Sequence, residues 1–369
     1  MSRIQQSLAQ PVGNPGSTPI GLGISRRTAM MRLAVLMALG GVLPHRAGAA
    51  EDWQAVQAAA REEAVVSFYH NMRPQGIEQL MTEFRRANPG IRTEQMRLGS
   101  APLIERFSTE FNAGRNLADV MLTFPDDTLF AGVDQHGWAA EWVPPELAAY
   151  PAAANHANRM FAVHTSRNVI IWNKQRVKPA DAPREWSDLW DPKWKGKVAM
   201  DPPWRSIAVQ GLVALWAKNG IADAAQKLNA NDVRFFEGSA GVFQAVLRGD
   251  ALVGTLADLP IEPGLQDGAP IGFVYPKSGT ATNDGYVLVS AKAPHPNAGR
   301  VFVNWLLSGP GQTVLQAQGG LPVTRPGVPP MQFLPPTSAL SNAVDSLTIG
   351  SGPERDKTIE TWRQTFGIR

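Results

Sequence analysis

The chain has 369 residues, 44% of them hydrophobic and 18% charged, with a formal net charge of +3 and no cysteine. The missing cysteines exclude disulfides, a thiol nucleophile and any thiolate metal site. The positive balance is small and confined to the first residues, so it does not mark a nucleic-acid partner.

Residues 1–49 hold five arginines (Arg3, Arg26, Arg27, Arg32 and Arg46) and no acid. The rest of the chain keeps 30 basic residues against 32 acidic ones, a formal charge of −2. Ser25-Arg26-Arg27 precedes an apolar run over 33–43 and then the small residues Ala47-Gly48-Ala49. That is the layout of an export signal with its cleavage site, and the paired arginines point to the twin-arginine route. Ala29 stands where a larger apolar residue is usual in such signals. The run is too short for a transmembrane helix, which needs about twenty residues. Cleavage is expected near residues 49–50, with the mature protein in the periplasm. Its length of about 320 residues exceeds what one core usually supports, so two lobes are expected.

Residues 65–69 read as a short buried strand ending at His70-Asn71. Ile77, Leu80, Met81 and Phe84 then follow at helical spacing, and Asn88-Pro89-Gly90 stops that helix. Ser100 is placed to cap a helix carrying Leu103, Phe107 and Phe111, with Pro102 tolerated in its first turn. Residues 119–122 form another strand, ending at Thr123-Phe124-Pro125. Strands alternating with amphipathic helices predict an α/β lobe with a largely parallel sheet. A second lobe begins after a strand-like run over 167–173. Its helix over 207–217 is apolar almost all round and is expected to be buried. Residues 240–248 and 251–256 supply a further helix and strand. The chain returns through 286–289 to a helix striped with Ala298, Val301, Phe302, Trp305 and Leu306. The proline-rich stretch 320–336 is expected to run extended over the surface, before a last helix near 357–366.

No catalytic constellation is present in this pattern. The five histidines beyond the signal (His70, His136, His156, His164 and His295) show neither H-x-x-x-H nor H-E-x-x-H spacing. No G-x-S-x-G motif, phosphate-binding loop or dinucleotide fingerprint follows the signal. The sequence therefore reads as a binding protein without cofactor or metal. A periplasmic hydrolase is the reading from another class.

Four stretches carry a family resemblance. They are Phe84-Arg85-Arg86-Ala87-Asn88-Pro89-Gly90; Ala118-Asp119-Val120; Trp186-Ser187-Asp188-Leu189-Trp190-Asp191-Pro192-Lys193-Trp194-Lys195-Gly196-Lys197; and Trp305-Leu306-Leu307-Ser308 with Gly311-Gln312. On these the chain resembles the bacterial extracellular solute-binding proteins of ABC transporters, in the ferric-ion, thiamine, polyamine and phosphosugar group. The resemblance implies the two-lobed α/β periplasmic-binding-protein fold (type II), with lobes joined by crossing strands and ligand held between them. It also implies an inner-membrane permease with its ATPase as partner. The expected organisation is signal 1–49, first lobe 50–168 and 285–369 including the C-terminal tail, and second lobe 169–284, as a monomer. Trp186, Trp190 and Trp194 are expected to serve packing rather than ligand stacking.

In an open α/β sheet, ligands lie beyond the carboxyl ends of strands. That rule selects Tyr69, His70 and Asn71; Ser100 and Ala101; Thr123, Phe124 and Asp126; and, from the second lobe, Trp204, Arg205 and Ser206. Ser100 and Ser206 stand just before helices whose free N–H groups can hold an anion, with plain helix capping as the alternative. Arg205 adds a fixed positive charge; its alternative is a surface pair with Asp201. In the iron-binding relatives the resemblance places adjacent tyrosines at about Asp258-Leu259. The four tyrosines here, Tyr69, Tyr150, Tyr275 and Tyr286, are never adjacent. Iron is accordingly not expected, and Asp258 is read as a possible acceptor for ligand hydroxyls or an amine. The helix starts and Arg205 favour a small organic anion, captured by hinge closure. Asp126, Asp258 and Asp284 keep a cationic amine as the alternative.

Overall fold

Asp52 opens the first helix, α1 (Trp53–Glu63), by accepting the N–H groups of Gln54 and Ala55. The structure, a computed structural model, describes residues 52–368 other than 73, 347, 348, 350 and 351. The export signal expected over 1–49 lies outside the described residues. After α1 come β1 (Val65–His70), α2 (Pro74–Ala87), β2 (Arg92–Arg97), α3 (Ser100–Asn112), β3 (Val120–Thr123) and α4 (Asp127–His136). Helix α2 buries the stripe read from sequence, Ile77, Leu80, Met81 and Phe84. The chain then turns at Gly90, whose φ of +97° favours glycine.

A short β4 (Asn155–His156) precedes the long strand β5 (Met160–Asn173). The second lobe follows as β6 (Val198–Met200), α5 (Ile207–Lys218), α6 (Ala224–Ala230), β7 (Arg234–Phe235), α7 (Gly238–Arg248), β8 (Val253–Ala257), α8 (Ile261–Gln266) and β9 (Ile271–Val274). Strand β10 (Thr280–Val289) returns to α9 (Pro296–Leu307) and α10 (Gly309–Gly319). The chain ends with β11 (Ala343–Asp345) and α11 (Pro353–Thr365). No helix among the described residues is long and apolar enough to cross a membrane.

The strand order is β2-β1-β3-β10-β5-β8-β6-β7. The outer strands pair in parallel within each lobe (β1 with β2 and β3, β6 with β7 and β8), as expected from alternating strands and helices. The crossing strands do not: β10 is antiparallel to β3 and β5, and β5 is antiparallel to β8 and β9. The sheet is therefore mixed rather than largely parallel. Strand β5 pairs with β10 through its first half and with β8 and β9 through its second, so it runs from one lobe into the other.

Successive side chains of a strand face opposite ways, and two cores result on each half of the sheet. In the first lobe Phe68, Leu122, Phe161 and Val287 pack under α1, α2, α9 and α10, while Tyr69, Met121 and Leu288 pack under α3 and α4. In the second, Ile170 and Val198 meet α5 and α6, and Val169 and Leu256 meet α7 and α8. Trp186 and Trp194 are buried in that lobe, and Trp190 meets Trp216 edge-on at 6.0 Å, so the tryptophan-rich motif is packing. The terminal helix α11 also joins this core, through Trp362.

Candidate ligand site

The strand ends of the two lobes converge at the crossing strands. Asn71 after β1, Phe124 after β3 and Leu259 after β8 line one small cavity of about 40 Å³, together with Met72, His164 and Leu321. Two features of the sheet bring His164 there. The β5–β10 ladder slips by one residue, pairing Gly285 with His164 but Tyr286 with Ala162, so Val163 bulges out of register. A bulge re-aims the side chains beside it, and His164 turns onto the face of Val163. Gly285 then supplies room, because a Cβ there would overlap the imidazole. Phe124 reaches over this gap and meets the His164 ring edge-on at 5.1 Å. His164 is 2% exposed, and its Nδ1 has no hydrogen-bond partner among the described residues. Burial pushes its pKa down to about 4, so the ring is neutral at physiological pH. His164 was not selected from the sequence, where a lone histidine inside an apolar strand carries no signal.

The residues selected from sequence divide into two groups. Asn71 and Phe124 line the cavity. Asn71 Nδ2 donates to Ser100 Oγ at 2.9 Å, tying the β1 loop to the start of α3. Ser100 is not the cap expected of it: Gly99 holds the cap position and no side chain caps α3. Ala101 is exposed in the first turn of that helix. Asp126 caps α4, accepting Leu129 N–H at 2.9 Å, and Thr123 is buried at the end of β3. In the second lobe Ser206 holds the cap position of α5, its carbonyl accepting Val209 and Gln210 N–H but its side chain making no cap bond. Its hydroxyl bonds the Asp201 carboxylate, which also accepts Gly238 N–H at 3.0 Å. Arg205 is exposed and forms no ion pair with Asp201 or any other described residue.

The other residues serve packing. Tyr69 is buried under α3, and its hydroxyl donates to Glu110 at 2.9 Å. His70 Nδ1 accepts Met72 N–H at 3.2 Å, which leaves Nε2 to donate to Gln95 Oε1 at 2.7 Å. Trp204 packs on Phe235 and Phe366, at 4.9 and 6.2 Å between centroids. Asp258 is not open to ligand. It is fully buried, and its two oxygens accept Arg167 N–H (3.0 Å), Arg167 Nε (2.6 Å) and Tyr275 Oη (2.7 Å). Arg167 Nη1 reaches on to the Pro335 carbonyl at 2.5 Å. This cluster joins β5, β8 and the proline-rich stretch beside the crossing. No three metal-ligating side chains gather anywhere among the described residues.

Comparison with known proteins follows the same lines. The sequence model of the family described as bacterial extracellular solute-binding protein matches residues 115–335. An uncharacterised protein of Haemophilus influenzae is 29% identical over 214 residues, 55% of this chain and 59% of its own length. This chain thus spans less than two thirds of that relative. Iron uptake protein A1 of Synechocystis is 26% identical over 280 residues, covering 69% of this chain and 74% of that protein. The substrate-binding protein of an ABC transporter from Agrobacterium tumefaciens superposes with a TM-score of 0.74 at 20% identity, over 83% of this chain and 94% of that one.

Proposed function

Because the chain belongs to the bacterial extracellular solute-binding protein family, we propose that it is the periplasmic substrate-binding component of an ABC importer, and that its solute is a small organic anion. The two lobes, 50–168 with the returning chain from 285 and 169–284 joined by the terminal helix α11, close on the solute about β5 and β10 after removal of residues 1–49. The closed monomer then presents it to a permease driven by an ATPase, since contacts made only on closure bias the lobes toward the closed state.

The observation that carries the anion is Arg205, an exposed guanidinium at the start of α5 that forms no ion pair among the described residues. Pro202 and Pro203 stiffen the loop that presents it. Ser206 is occupied by Asp201 and leaves the first N–H groups of α5 uncapped, and α3 in the other lobe also starts uncapped. Free N–H groups at a helix start favour negative charge. A carboxylate, phosphate ester, phosphonate or sulfonate meets these donors. Thermal-shift screening of those four classes, with calorimetry on whichever stabilises the protein, identifies the solute. Arg205→Ala should weaken its binding at least about tenfold and leave the unliganded melting temperature unchanged, since ligand stabilises only the folded state. Unchanged affinity would remove Arg205 from the site.

The similarity to an iron uptake protein makes ferric ion the second reading. Against it, Asp258 and Leu259 stand where the resemblance places adjacent tyrosines, and Asp258 is bonded by Arg167 and Tyr275. Titration with ferric citrate should give no tyrosinate charge-transfer band, and a stoichiometric band would reverse the assignment.

A further inference from the structure

The proline-rich stretch does more than run over the surface. With the crossing strands it encloses a second cavity, of about 610 Å³, within the range of small-molecule sites. Strand alternation separates it from the strand-end site: Gly285 faces His164 on one side, while Thr282 and Asp284 face this cavity on the other. Thr165, next to His164, also faces it.

The unpaired charge in the walls is one-sided. Prolines between 322 and 336 form the roof; they have no N–H to donate and offer only carbonyl oxygens. Gln316 holds that roof, its Nε2 donating to the Pro329 carbonyl at 2.6 Å. Asp284 is the carboxylate in the cavity, and it forms no ion pair among the described residues. Arg325, on the same wall, is committed to Glu146 at 2.9 Å and to the Leu307 carbonyl at 2.6 Å. Buried charges are normally paired, so an ionised Asp284 lacks its counterpart. Met331 and Leu334 supply apolar surface opposite it. One carboxylate in so large a space does not make a metal site, which needs several oxygen ligands.

We propose that this cavity is a second ligand site, separate from the strand-end site, for a small organic cation with a primary ammonium and an apolar body. The ammonium sits against Asp284, donating to the carboxylate and the roof carbonyls, while the apolar body packs on the proline rings. Burial raises the Asp284 pKa to about 6, with the Thr165 hydroxyl opposing and the Asp345 carboxylate of β11 adding to the rise. The other charged or titratable groups around it are Tyr286 on its own strand and the Arg325–Glu146 pair. The carboxylate, and with it the site, is therefore lost as pH falls through about 6.

Calorimetry with benzylamine as probe and benzyl alcohol as the uncharged control tests this without knowledge of the natural ligand. Saturable one-to-one benzylamine binding is expected, absent for benzyl alcohol and retained in Arg205→Ala, which separates it from the strand-end site. Asp284→Asn should weaken binding at least about tenfold. Should that variant fail to fold, the wild-type pH profile decides, because affinity must drop about tenfold between a pH of about 7.5 and 5 while the amine stays protonated. Equal binding of the alcohol, indifference to pH, or displacement of the amine by potassium chloride at matched concentration overturns the proposal, as does no binding.

Discussion

Asp258 and His164 are two buried polar residues with opposite situations. Asp258 accepts three hydrogen bonds from Arg167 and Tyr275, and both members of the ion pair are fully buried. Removing one partner of such a pair strands the other charge, at a cost of roughly 3–5 kcal/mol. Asp258→Ala should therefore lower the unfolding free energy of the unliganded protein, read from urea titration, by that amount, whereas a ligand-contact role would leave it unchanged. His164 has an imidazole nitrogen with nothing to bond. Its folded pKa of about 4 lies below the unfolded value of about 6.5, so the unfolded chain binds more protons between those limits and stability is lost as pH falls through them. The contribution is about 3 kcal/mol. Asp284, raised to about 6, acts in the opposite sense over about 3.8–6. The measurement is accordingly the difference between wild type and His164→Leu in urea unfolding: the variant should lose less stability than wild type between pH values of about 7 and 4. Equal losses would show that His164 titrates normally.

At the level of elements, the terminal helix has a position that its place in the chain does not announce. Trp362 of α11 stacks on Trp216 of α5 at 6.3 Å, so the helix is rooted in the second lobe. Its amino end contacts the first lobe. Arg355 pairs with Asp127 at the start of α4, and Gly352 N–H donates to the same carboxylate at 3.1 Å. Before it, β11 pairs with β10, and Ser346 Oγ donates to Asn283 Oδ1 at 2.5 Å within the crossing. The C-terminal stretch thus spans both lobes. The Arg355–Asp127 pair is partly exposed and is worth about 0–1 kcal/mol, too little for the fold but enough to move an open–closed equilibrium severalfold. Arg355→Ala should leave the melting temperature nearly unchanged and increase the radius of gyration of the unliganded protein in X-ray scattering. An unchanged radius would show that the pair does not hold the lobes together.

For the whole molecule, the layers, the order of helices and strands and the tryptophan-rich packing motif were legible in the chain. Each depends on local apolar periodicity, which a strand or helix displays along a few consecutive residues. The strand-end rule likewise led to Asn71 and Phe124, which line the small cavity, because it needs only the ends of predicted strands. It also led to Tyr69, His70 and Asp258, since it cannot tell which way a terminal side chain turns. Facing depends on register, and the one-residue slip at Val163 that turns His164 toward Phe124 is a property of the pairing between β5 and β10. The antiparallel crossing strands, the cavity roofed by prolines and the bridging of both lobes by the C-terminal stretch are of the same kind. By itself the sequence determined the two-lobed α/β class and the missing tyrosine pair, because composition and short-range spacing are written in consecutive residues. Tertiary structure alone decided which polar groups are satisfied and which are left facing a cavity, because that depends on partners from 91 positions away, as for Arg167 and Asp258, to 228, as for Asp127 and Arg355.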